Sequence, residues 1–348
     1  MTGKSNFILA SALKIIGVNL PPFMVVHNNI DKLPRFRNAV ITIGTFDGVH
    51  LGHRQILTMM GKEAALIGGE TVVITFFPHP RQVIASSQSQ LFLLNTPGEK
   101  IELLERLGIG HLVIVPFTEA FSMQDARQYI SDFLVRNFSP HTIIIGHDHR
   151  FGKSRSGNIT LLRELAPVFG FRVVEIPEHM LQESVISSTS IRQMLARGDV
   201  AAANRLLGYA YGFSGTVVSG DGRGKQIGYP TANLRPMSDT KLLPGNGVYA
   251  VLVRLNDESG AAGMILKGMM NIGIRPTFEG TQPTLEVHLF DFNQDLYGKD
   301  IAVTFISRLR NEQKFANVEE LKARLAEDRK VALLELENAV LSYQDSAT

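Results

Sequence analysis

The chain has 348 residues, more than the roughly 100–200 that one domain usually needs, so two domains are the default expectation. Its 35 Lys and Arg residues nearly balance 33 Asp and Glu residues. The formal net charge of +2 excludes a whole-protein attraction for nucleic acid or for anionic membrane surfaces. The sequence contains no cysteine, which excludes disulfides, thiolate chemistry and cysteine zinc sites and fits a cytoplasmic location.

The N-terminal residues 1–23 contain an apolar run that Lys14 interrupts, and no small-residue cleavage pattern clearly follows it. We interpret this segment as an N-terminal extension, or as a mis-assigned start with Met24 as the natural first residue, in preference to a signal peptide. No stretch of the sequence has the ~18 uninterrupted apolar residues that a membrane span needs, so no membrane partner is expected.

The segment VITIGTFDGVHLGH, residues 40–53, joins a run with buried-strand composition to a glycine-punctuated turn. Apolar residues at helical spacing follow over residues 54–67, which predicts a strand, a tight turn and a helix in succession. Gly44 and the other glycines of the turn permit a close approach of the backbone to a ligand. Unpaired N–H groups and the helix dipole would both face that ligand, which indicates a phosphate site.

Two histidines, His50 and His53, stand three residues apart in this turn. A single histidine at a helix start is more often a cap or a surface residue. An H-x-G-H sequence at the mouth of a strand, turn and helix is much rarer, and we interpret it as charge stabilisation of one bound group. The pattern resembles the HIGH-like motif of the nucleotidyltransferase superfamily, whose members transfer an adenylyl or cytidylyl group from a nucleoside triphosphate.

Strand-like and helix-like segments alternate from Val40 to about Pro177. The predicted strands are VITIG, TVVITFF, HLVIVPF, HTIIIG and FRVVEI, and the predicted helices cover residues 54–67, 99–107, 123–138 and 158–169. Such alternation is typical of a Rossmann-like, doubly wound parallel sheet, in which ligands bind at the carboxyl ends of the strands. We therefore expect residues 44–53 and 146–152 to line one crevice.

After Leu207 the pattern changes to strand-like segments separated by turns, such as FSGTVV, GVYAVLVRL, MILKGMMNIG, TLEVHLFDF and IAVTFISRL. This pattern predicts an antiparallel, six-stranded β-barrel with a terminal helix over about residues 318–341. The predicted fold class is thus α/β followed by β. We expect one domain over residues 24–207 and another over residues 208–348.

Three further segments of the first domain carry candidate site residues. The hydroxyls and Arg192 of SSTSIR form either an ordinary helix cap or a grip on a departing pyrophosphate. The loop GHDHRFG, which contains Asp148, is interpreted as facing a nucleotide rather than a metal, because no acidic cluster or cysteine accompanies it. The aromatic residues of FFPHP are either core or a wall for a flat ring such as a flavin.

In the second domain the segment GDGRGKQIGYPTANL places basic residues between glycines. Thr231 and Asn233 lie two residues apart on an extended stretch, so they point the same way and can hold a hydrated Mg²⁺ with its phosphates. Glu286 is the acidic residue at the start of an otherwise apolar strand. It is either a solvent-facing strand residue or a general base.

The motifs occur in a specific order: GTFDGVHLGH, TFFPHP, GHDHRFG, SSTSIR, GRGKQIGYPTANL, GVYAV, NIGIRPTF and LEVHLFDF. In this order, over about residues 25–341, the chain resembles the bacterial bifunctional riboflavin kinase/FMN adenylyltransferases, also called FAD synthetases. The resemblance implies phosphorylation of riboflavin to FMN in the barrel and adenylylation of FMN to FAD in the first domain. It also implies ATP as co-substrate, Mg²⁺ as cofactor, and riboflavin, FMN and FAD as partners.

By this resemblance His50 and His53 stabilise the α-phosphate transition state, while Glu286 deprotonates the riboflavin 5′-hydroxyl. Arg192 completes the catalytic set, and Thr231 and Asn233 bind Mg–ATP. The residues expected to bind nucleotide or flavin are Gly44, Phe46, Asp47, Phe76, Pro78, Asp148, Ser188, Thr189, Gly222, Gly224, Lys225, Thr231 and Asn233. One departure from the family pattern is His149, because many relatives carry Phe there.

Two alternatives remain open at this stage. The first is an adenylyltransferase for another phosphate ester with an accessory barrel, and the PTAN segment and Glu286 count against it. The second treats the barrel as a nucleic-acid or ligand-sensing module, and the near-neutral charge counts against that. We expect a monomer or a weak homo-oligomer with no nucleic-acid partner.

Overall fold

The computed structural model describes residues 23–84, 91–146, 149–176, 186–220, 223–255, 263–277 and 280–345. Residues 1–22 of the predicted N-terminal extension lie outside the described residues. Two compact units make up the chain, the first formed by Met1–Leu91 with Pro97–Glu183 and the second by Phe92–Thr96 with Ser184–Thr348. Each unit is considered separately below. The predicted domain boundary between residues 207 and 208 stays a prediction.

The first unit contains a six-stranded, wholly parallel sheet. Its strands in chain order are β1 (Val25–His27), β2 (Val40–Ile43), β3 (Thr71–Phe77), β4 (His111–Pro116), β5 (Thr142–Gly146) and β6 (Arg172–Ile176). Their order across the sheet is β1-β4-β3-β2-β5-β6, so the direction of winding reverses between β2 and β5. That reversal is the place where a doubly wound sheet opens a crevice at the carboxyl ends of its strands.

Apolar cores cover both faces of this sheet, which explains why its central strands are almost continuously apolar. Successive residues of β2 lie in different cores, since Val40 belongs to one cluster and Ile41 to another. The same alternation holds for Val72 and Val73 in β3. A strand buried on both sides has no polar face, so its polar residues collect in the turns that follow it.

The helices of the first unit differ from prediction at two places. The helix predicted over residues 54–67 is Leu51–Ile67 and begins three residues earlier, because the His50 side chain caps it. The helix predicted over residues 123–138 begins at Ala126, where Asp125 accepts two backbone N–H bonds, and is π-helical over Tyr129–Val135. The other helices are Pro80–Ile84, Pro97–Arg106, Glu119–Ser122, Arg136–Phe138 and Ile159–Phe169, with 3-10 turns at Ile30–Lys32 and Lys153–Arg155.

The second unit contains a closed antiparallel barrel of six strands, as predicted. The strands are β7 (Gly212–Val218), β8 (Ala232–Pro236), β9 (Gly247–Leu255), β10 (Ile265–Thr277), β11 (Gly280–Leu289) and β12 (Asp300–Arg310), and they close in the order β10-β11-β8-β7-β12-β9. The helices of this unit are Ser188–Ala196, Val200–Leu207, Arg223–Gln226 and Val318–Asp345. The fold class predicted from the sequence is confirmed. Nowhere in the described part of the chain is a helix both long and apolar enough to cross a membrane.

A buried ion pair joins the terminal helix to the barrel wall. The Arg310 Nε at the end of β12 donates to both carboxylate oxygens of Asp328, at 3.1 and 2.8 Å. The side chains are only 11% and 1% exposed, respectively. A charge so far from water requires its partner, because an unpaired buried ion has no solvation to replace the lost contact.

We predict that Asp328→Asn destabilises the second unit by about 3 kcal/mol, because it leaves the Arg310 guanidinium buried beside a neutral group. The matched control is Asp291→Asn, since the Asp291 carboxylate also pairs with an arginine, Arg329, at 2.7 Å but is 80% exposed. We expect this control to cost less than about 1 kcal/mol. Urea unfolding of both variants measures the difference, and equal effects would show that burial of the pair is unimportant.

Candidate active sites

The turn after β2 leaves the sheet in an unusual backbone conformation. Phe46, Gly48 and Val49 all have positive φ angles, of 46°, 90° and 36°. Only glycine adopts such angles without cost, so two of the three positions carry local strain. The Gly44 N–H donates to the carbonyl of Ile74 on β3 at 3.0 Å, which anchors the start of the turn to the sheet. The predicted phosphate turn is therefore a tightly specified structure.

The two predicted histidines come together at the end of this turn. The His53 N–H donates to Nδ1 of His50 at 3.4 Å, so His50 caps the helix that contains His53. The two rings stack with their centroids 3.7 Å apart and their planes 17° apart. Because Nδ1 of His50 accepts a hydrogen bond, the proton of its neutral ring lies on Nε2. His50 thus caps the helix, and its ring stacks on the ring of His53.

Electrostatics keep the His53 ring neutral at physiological pH. Burial, the neighbouring His50 ring and the Lys100 ammonium hold the pKa of His53 well below its usual value of 6.5. The Nδ1 atom of His53 is buried and has no hydrogen-bond partner among the residues that the structure describes. Buried polar atoms are normally paired, and an orphan beside a strained turn fits a site that a bound polar group completes.

The sequence interpretation missed Lys100, which lies beneath this turn. Its Nζ donates to the carbonyl oxygen of Thr45 at 2.7 Å and lies 3.4 Å from Thr75 Oγ1. The sequence signal was its register, because Lys100 stands at the spacing of the apolar residues Leu103, Leu104 and Leu107 on an amphipathic helix. Lys100 is therefore a partly buried cation on the apolar side of its helix, where a charged side chain needs a polar partner.

Other predicted residues of the first unit have varied environments. Phe46 and Asp47 are buried, and the Phe46 ring lies 5.1 Å from the His53 ring. Phe76 is half-buried among aromatic residues, with ring centroids 5.5 and 5.6 Å from those of Phe117 and Phe121. Its neighbours Phe77 and Pro78 are exposed and are joined by a cis peptide bond. Asp148 lies outside the described residues.

The SSTSIR segment begins a helix of the second compact unit. Ser187 caps that helix through a reciprocal pair of bonds with Ser190, which leaves Ser188 and Thr189 in the first turn. Arg192 donates from Nε to the carbonyl of Phe92 at 3.1 Å. The helix-cap interpretation is thus correct for Ser187, and the predicted grip of Ser188, Thr189 and Arg192 on ATP stays a prediction.

In the barrel, polar residues of three adjacent strands form one row. Glu286 on β11 is the register partner of Asn233 on β8 and of Asn271 on β10. The flanking residues of β11, Leu285 and Val287, belong to the barrel core. Since side chains alternate along a strand, the row lies on the outer face of the wall. The sequence interpretation assigned no role to Asn271, although it begins the quoted segment NIGIRPTF.

Glycines pack closely around this row. A Cβ on Gly220 would overlap the Asn233 amide, and one on Gly224 would overlap the carbonyl of Tyr229 and lie 3.2 Å from the Thr231 hydroxyl. Glycine is therefore needed at positions 220 and 224 for close packing against the PTAN segment, and the expected contact of Gly224 with nucleotide or flavin stays a prediction. Lys225 is exposed, and Gly222 lies outside the described residues.

A histidine supports the same segment from the barrel wall. His288 on β11 donates from Nδ1 to the carbonyl of Pro230 at 2.7 Å, and its ring lies 5.2 Å from that of Tyr229. Burial of the ring lowers the pKa of His288, the hydrogen bond to the Pro230 carbonyl raises it, Arg329 lowers it and Asp291 raises it. His288 therefore fixes the backbone immediately before Thr231.

Oxygen atoms of the row and of the nearby Thr231 are suitable ligands for a hard cation. Thr231, Asn233 and Glu286 offer hydroxyl, amide and carboxylate oxygens, the ligand types that Mg²⁺ prefers. Within the residues that the structure describes, no group of three or more His, Cys, Asp or Glu side chains forms a metal cage. Mg²⁺ bound with a nucleotide does not need such a cage, because it keeps waters and takes ligands from phosphates.

Two family models match the chain in succession. The FAD synthetase model matches residues 33–190 and the riboflavin kinase model matches residues 207–335. The first match contains the turn with the stacked histidines, and the second contains the barrel with its polar row. The two folds and sites thus define a two-activity transferase.

Full-length relatives carry both activities in their names. The bifunctional riboflavin kinase/FMN adenylyltransferase of Escherichia coli (strain K12) is 38% identical over 305 residues, which are 88% of this chain and 95% of the relative. Its counterpart in Bacillus subtilis (strain 168) is 36% identical over 299 residues, or 85% of this chain and 92% of the relative. This chain belongs to the family of bifunctional riboflavin kinase/FMN adenylyltransferases. The predicted family, enzyme class and bifunctional activity are confirmed.

A solved structure described as a macrolide-efflux protein from Streptococcus pneumoniae has a similar fold. It aligns with a TM-score of 0.80 and 30% sequence identity over 89% of this chain and 98% of that chain. Its description names another activity, which applies to that protein alone. The agreement extends across both halves of the chain.

We predict that the His53 imidazole stays neutral at pH values where an exposed histidine takes up a proton, because burial, His50 and Lys100 hold its pKa well below 6.5. NMR of histidine ring protons tests this, with the His53 signal assigned by its loss in His53→Asn. The signal should not shift between about pH 8 and pH 6, whereas an exposed histidine titrates in this range. A His53 midpoint at or above 6.5 would contradict the electrostatic account of this site.

Proposed function

We propose that the first unit adenylylates FMN at the turn after β2 and that the barrel phosphorylates riboflavin at the row containing Glu286. The observation that carries this assignment is the presence of two separate polar sites on two different folds. One is a stacked histidine pair at a helix start, and the other is a carboxylate between two asparagines. The histidine pair suits FMN adenylylation, and the carboxylate suits riboflavin phosphorylation.

In adenylylation, an oxygen of the FMN phosphate attacks the α-phosphorus of ATP. The bond from that phosphorus to the oxygen bridging the β-phosphate breaks, and pyrophosphate leaves with the electron pair. Negative charge grows on the α-phosphate oxygens, so donors that point there accelerate the reaction. His50 and His53 are those donors, and a neutral imidazole can still offer one N–H. The phosphate nucleophile is already an anion, so this step needs no general base.

In phosphorylation, the 5′-hydroxyl oxygen of riboflavin attacks the γ-phosphorus of ATP. Glu286 accepts the hydroxyl proton, and the bond to the β-phosphate oxygen breaks so that ADP leaves. Thr231 and Asn233 would hold Mg²⁺, which supplies neutralising charge at the ATP phosphates. Gly220 and Gly224 pack closely against Asn233 and Thr231, and Gly224 and Lys225 would face the nucleotide.

The remaining binding assignments are proposals of the same kind. Phe76 and Pro78 would form one side of the FMN site, because they lie where β3 ends at the carboxyl edge of the sheet. The ring of Phe77, between them in the chain, is exposed to solvent. Ser188, Thr189 and Arg192 would bind ATP phosphates. A cytoplasmic location, a monomeric or weakly oligomeric state and the lack of nucleic-acid and membrane partners stay predictions of the sequence.

We predict that His53→Ala lowers FMN adenylylation by about 10²–10³-fold, because it removes one donor from the charge that develops on the α-phosphate. Riboflavin phosphorylation should stay at the parent rate, since that reaction uses the barrel. Chromatography of FMN, FAD and riboflavin measures both rates in one mixture. Equal loss of both activities would contradict the assignment of His53 to one reaction.

We predict that Glu286→Gln lowers riboflavin phosphorylation by about 10²–10⁴-fold, because the amide cannot accept the 5′-hydroxyl proton. The same variant should convert supplied FMN to FAD at the parent rate. Glu337→Gln, an exposed change on the terminal helix, is the matched control and should leave both rates unchanged. If Glu286→Gln phosphorylates riboflavin normally, the base lies elsewhere and Glu286 is a structural strand residue.

A further inference from the structure

We propose that Lys100 is a positioning residue of the adenylylation site, where its ammonium holds the turn that presents His50 and His53. This inference rests on the proposed assignment of FMN adenylylation to the first unit. Neither the motifs of the sequence nor the roles given above include Lys100.

The first observation is that the Thr45 carbonyl oxygen accepts two side-chain hydrogen bonds. The Thr45 oxygen accepts from Lys100 Nζ at 2.7 Å and from Thr75 Oγ1 at 3.2 Å. Thr45 immediately precedes Phe46, the first residue of the turn with a positive φ angle. Fixing this carbonyl fixes the peptide plane from which the left-handed backbone starts. A displaced Thr45 would rotate every residue between it and the helix cap.

The second observation is that the turn needs external support. Phe46 and Val49 hold φ angles of 46° and 36°, which side chains other than glycine adopt at a cost of about 1–3 kcal/mol each. Within the turn itself, the Val49 N–H donates to the Phe46 carbonyl over a long 3.3 Å. Such conformations persist when surrounding contacts over-determine them. The Lys100 bond is the charge-assisted contact among those at Thr45, so it is the stronger one.

The third observation is the local charge. Asp47 is only 2% exposed and lies near enough to Lys100 to oppose the loss of its proton. Burial nevertheless lowers the pKa of Lys100 to about 8. The Lys100 ammonium in turn helps to keep His53 neutral. Lys100 thus connects the acidic residue, the backbone and the histidine of one turn.

These observations distinguish a positioning role from simple packing. A lysine needed only for stability would change the amount of folded protein, with little effect on kcat per folded molecule. A lysine that sets the histidines should change kcat, and its titration should appear in the pH profile. The titratable groups at the turn are Asp47, His50, His53 and Lys100, with Arg54 close by through its bond to the Val49 carbonyl. Of these, Lys100 is the one whose pKa lies near 8.

The experiment uses two variants of Lys100. Lys100→Met keeps an unbranched side chain of similar length but removes the charge. Lys100→Arg keeps the charge at all accessible pH values. Lys62→Met, an exposed change on the helix Leu51–Ile67, is the matched control. FMN adenylylation is measured at saturating and limiting FMN and ATP between about pH 6 and pH 9.5. Riboflavin phosphorylation and the folded fraction are recorded for every protein.

We expect Lys100→Met to lower kcat for adenylylation by about 10²-fold, as small misplacements of catalytic groups do, with KM values changed much less. In the full-length parent, kcat/KM should fall above about pH 8, and this fall should be absent up to about pH 9.5 in Lys100→Arg. The pKa of His53, followed by NMR, should rise in Lys100→Met. Lys62→Met should match the parent in every respect.

Three results would overturn the proposal: a normal kcat in folded Lys100→Met, no fall in the parent profile above pH 8, or an unchanged fall in Lys100→Arg. If Lys100→Met does not fold, the parent and Lys100→Arg profiles still decide. If FMN adenylylation does not occur at the turn after β2, His53→Ala retains adenylylation whatever the Lys100 variants do. That result distinguishes failure of the proposed site from failure of the role of Lys100.

Discussion

The exit of the chain from β2 is the constraint on which the chemistry of the first unit depends. Between Ile43 and Leu51 the backbone must leave a strand that is buried on both faces and enter a helix. It does so through three positive φ angles, and this compact path lets His50 cap the helix while its ring stacks on His53. A longer, relaxed turn would not bring the two imidazoles face to face.

The two sites use opposite physical environments. In the first unit, Asp47, His50 and the donor nitrogens around them lie at the edge of the core, where weak solvation strengthens each electrostatic contact. The barrel instead places Glu286, Asn233 and Asn271 on the outer face of its wall, half-exposed. A phosphate nucleophile needs only donors for the growing charge, whereas an alcohol needs a carboxylate that stays ionised and reachable. The difference in burial matches the difference between the two reactions proposed for these sites.

Supporting residues of both sites came from positions that motif analysis passed over. Lys100 donates to the Thr45 carbonyl from a helix, and His288 donates to the Pro230 carbonyl from a strand. Each holds a backbone segment immediately before a proposed functional residue. Their shortest hydrogen bonds go to main-chain oxygens, so no pattern of paired side chains in the sequence announces them. For Lys100 the signal is a polar residue at a position where helical periodicity predicts burial, whereas His288 lies on the same outward face of β11 as Glu286.

The sequence by itself determined the two folds, the stacked-histidine motif and the PTAN and Glu286 segments, because periodicity, turn residues and motif order are local properties of the chain. It missed β1, a three-residue edge strand too short for a periodic signal, and it began the helix Leu51–Ile67 three residues late. Only the tertiary structure decided that Glu286 lies between two asparagines and that Lys100 lies beneath the turn. These facts depend on strand register and on the packing of a helix against a sheet, which join residues far apart in the chain and leave no mark on the residues between them.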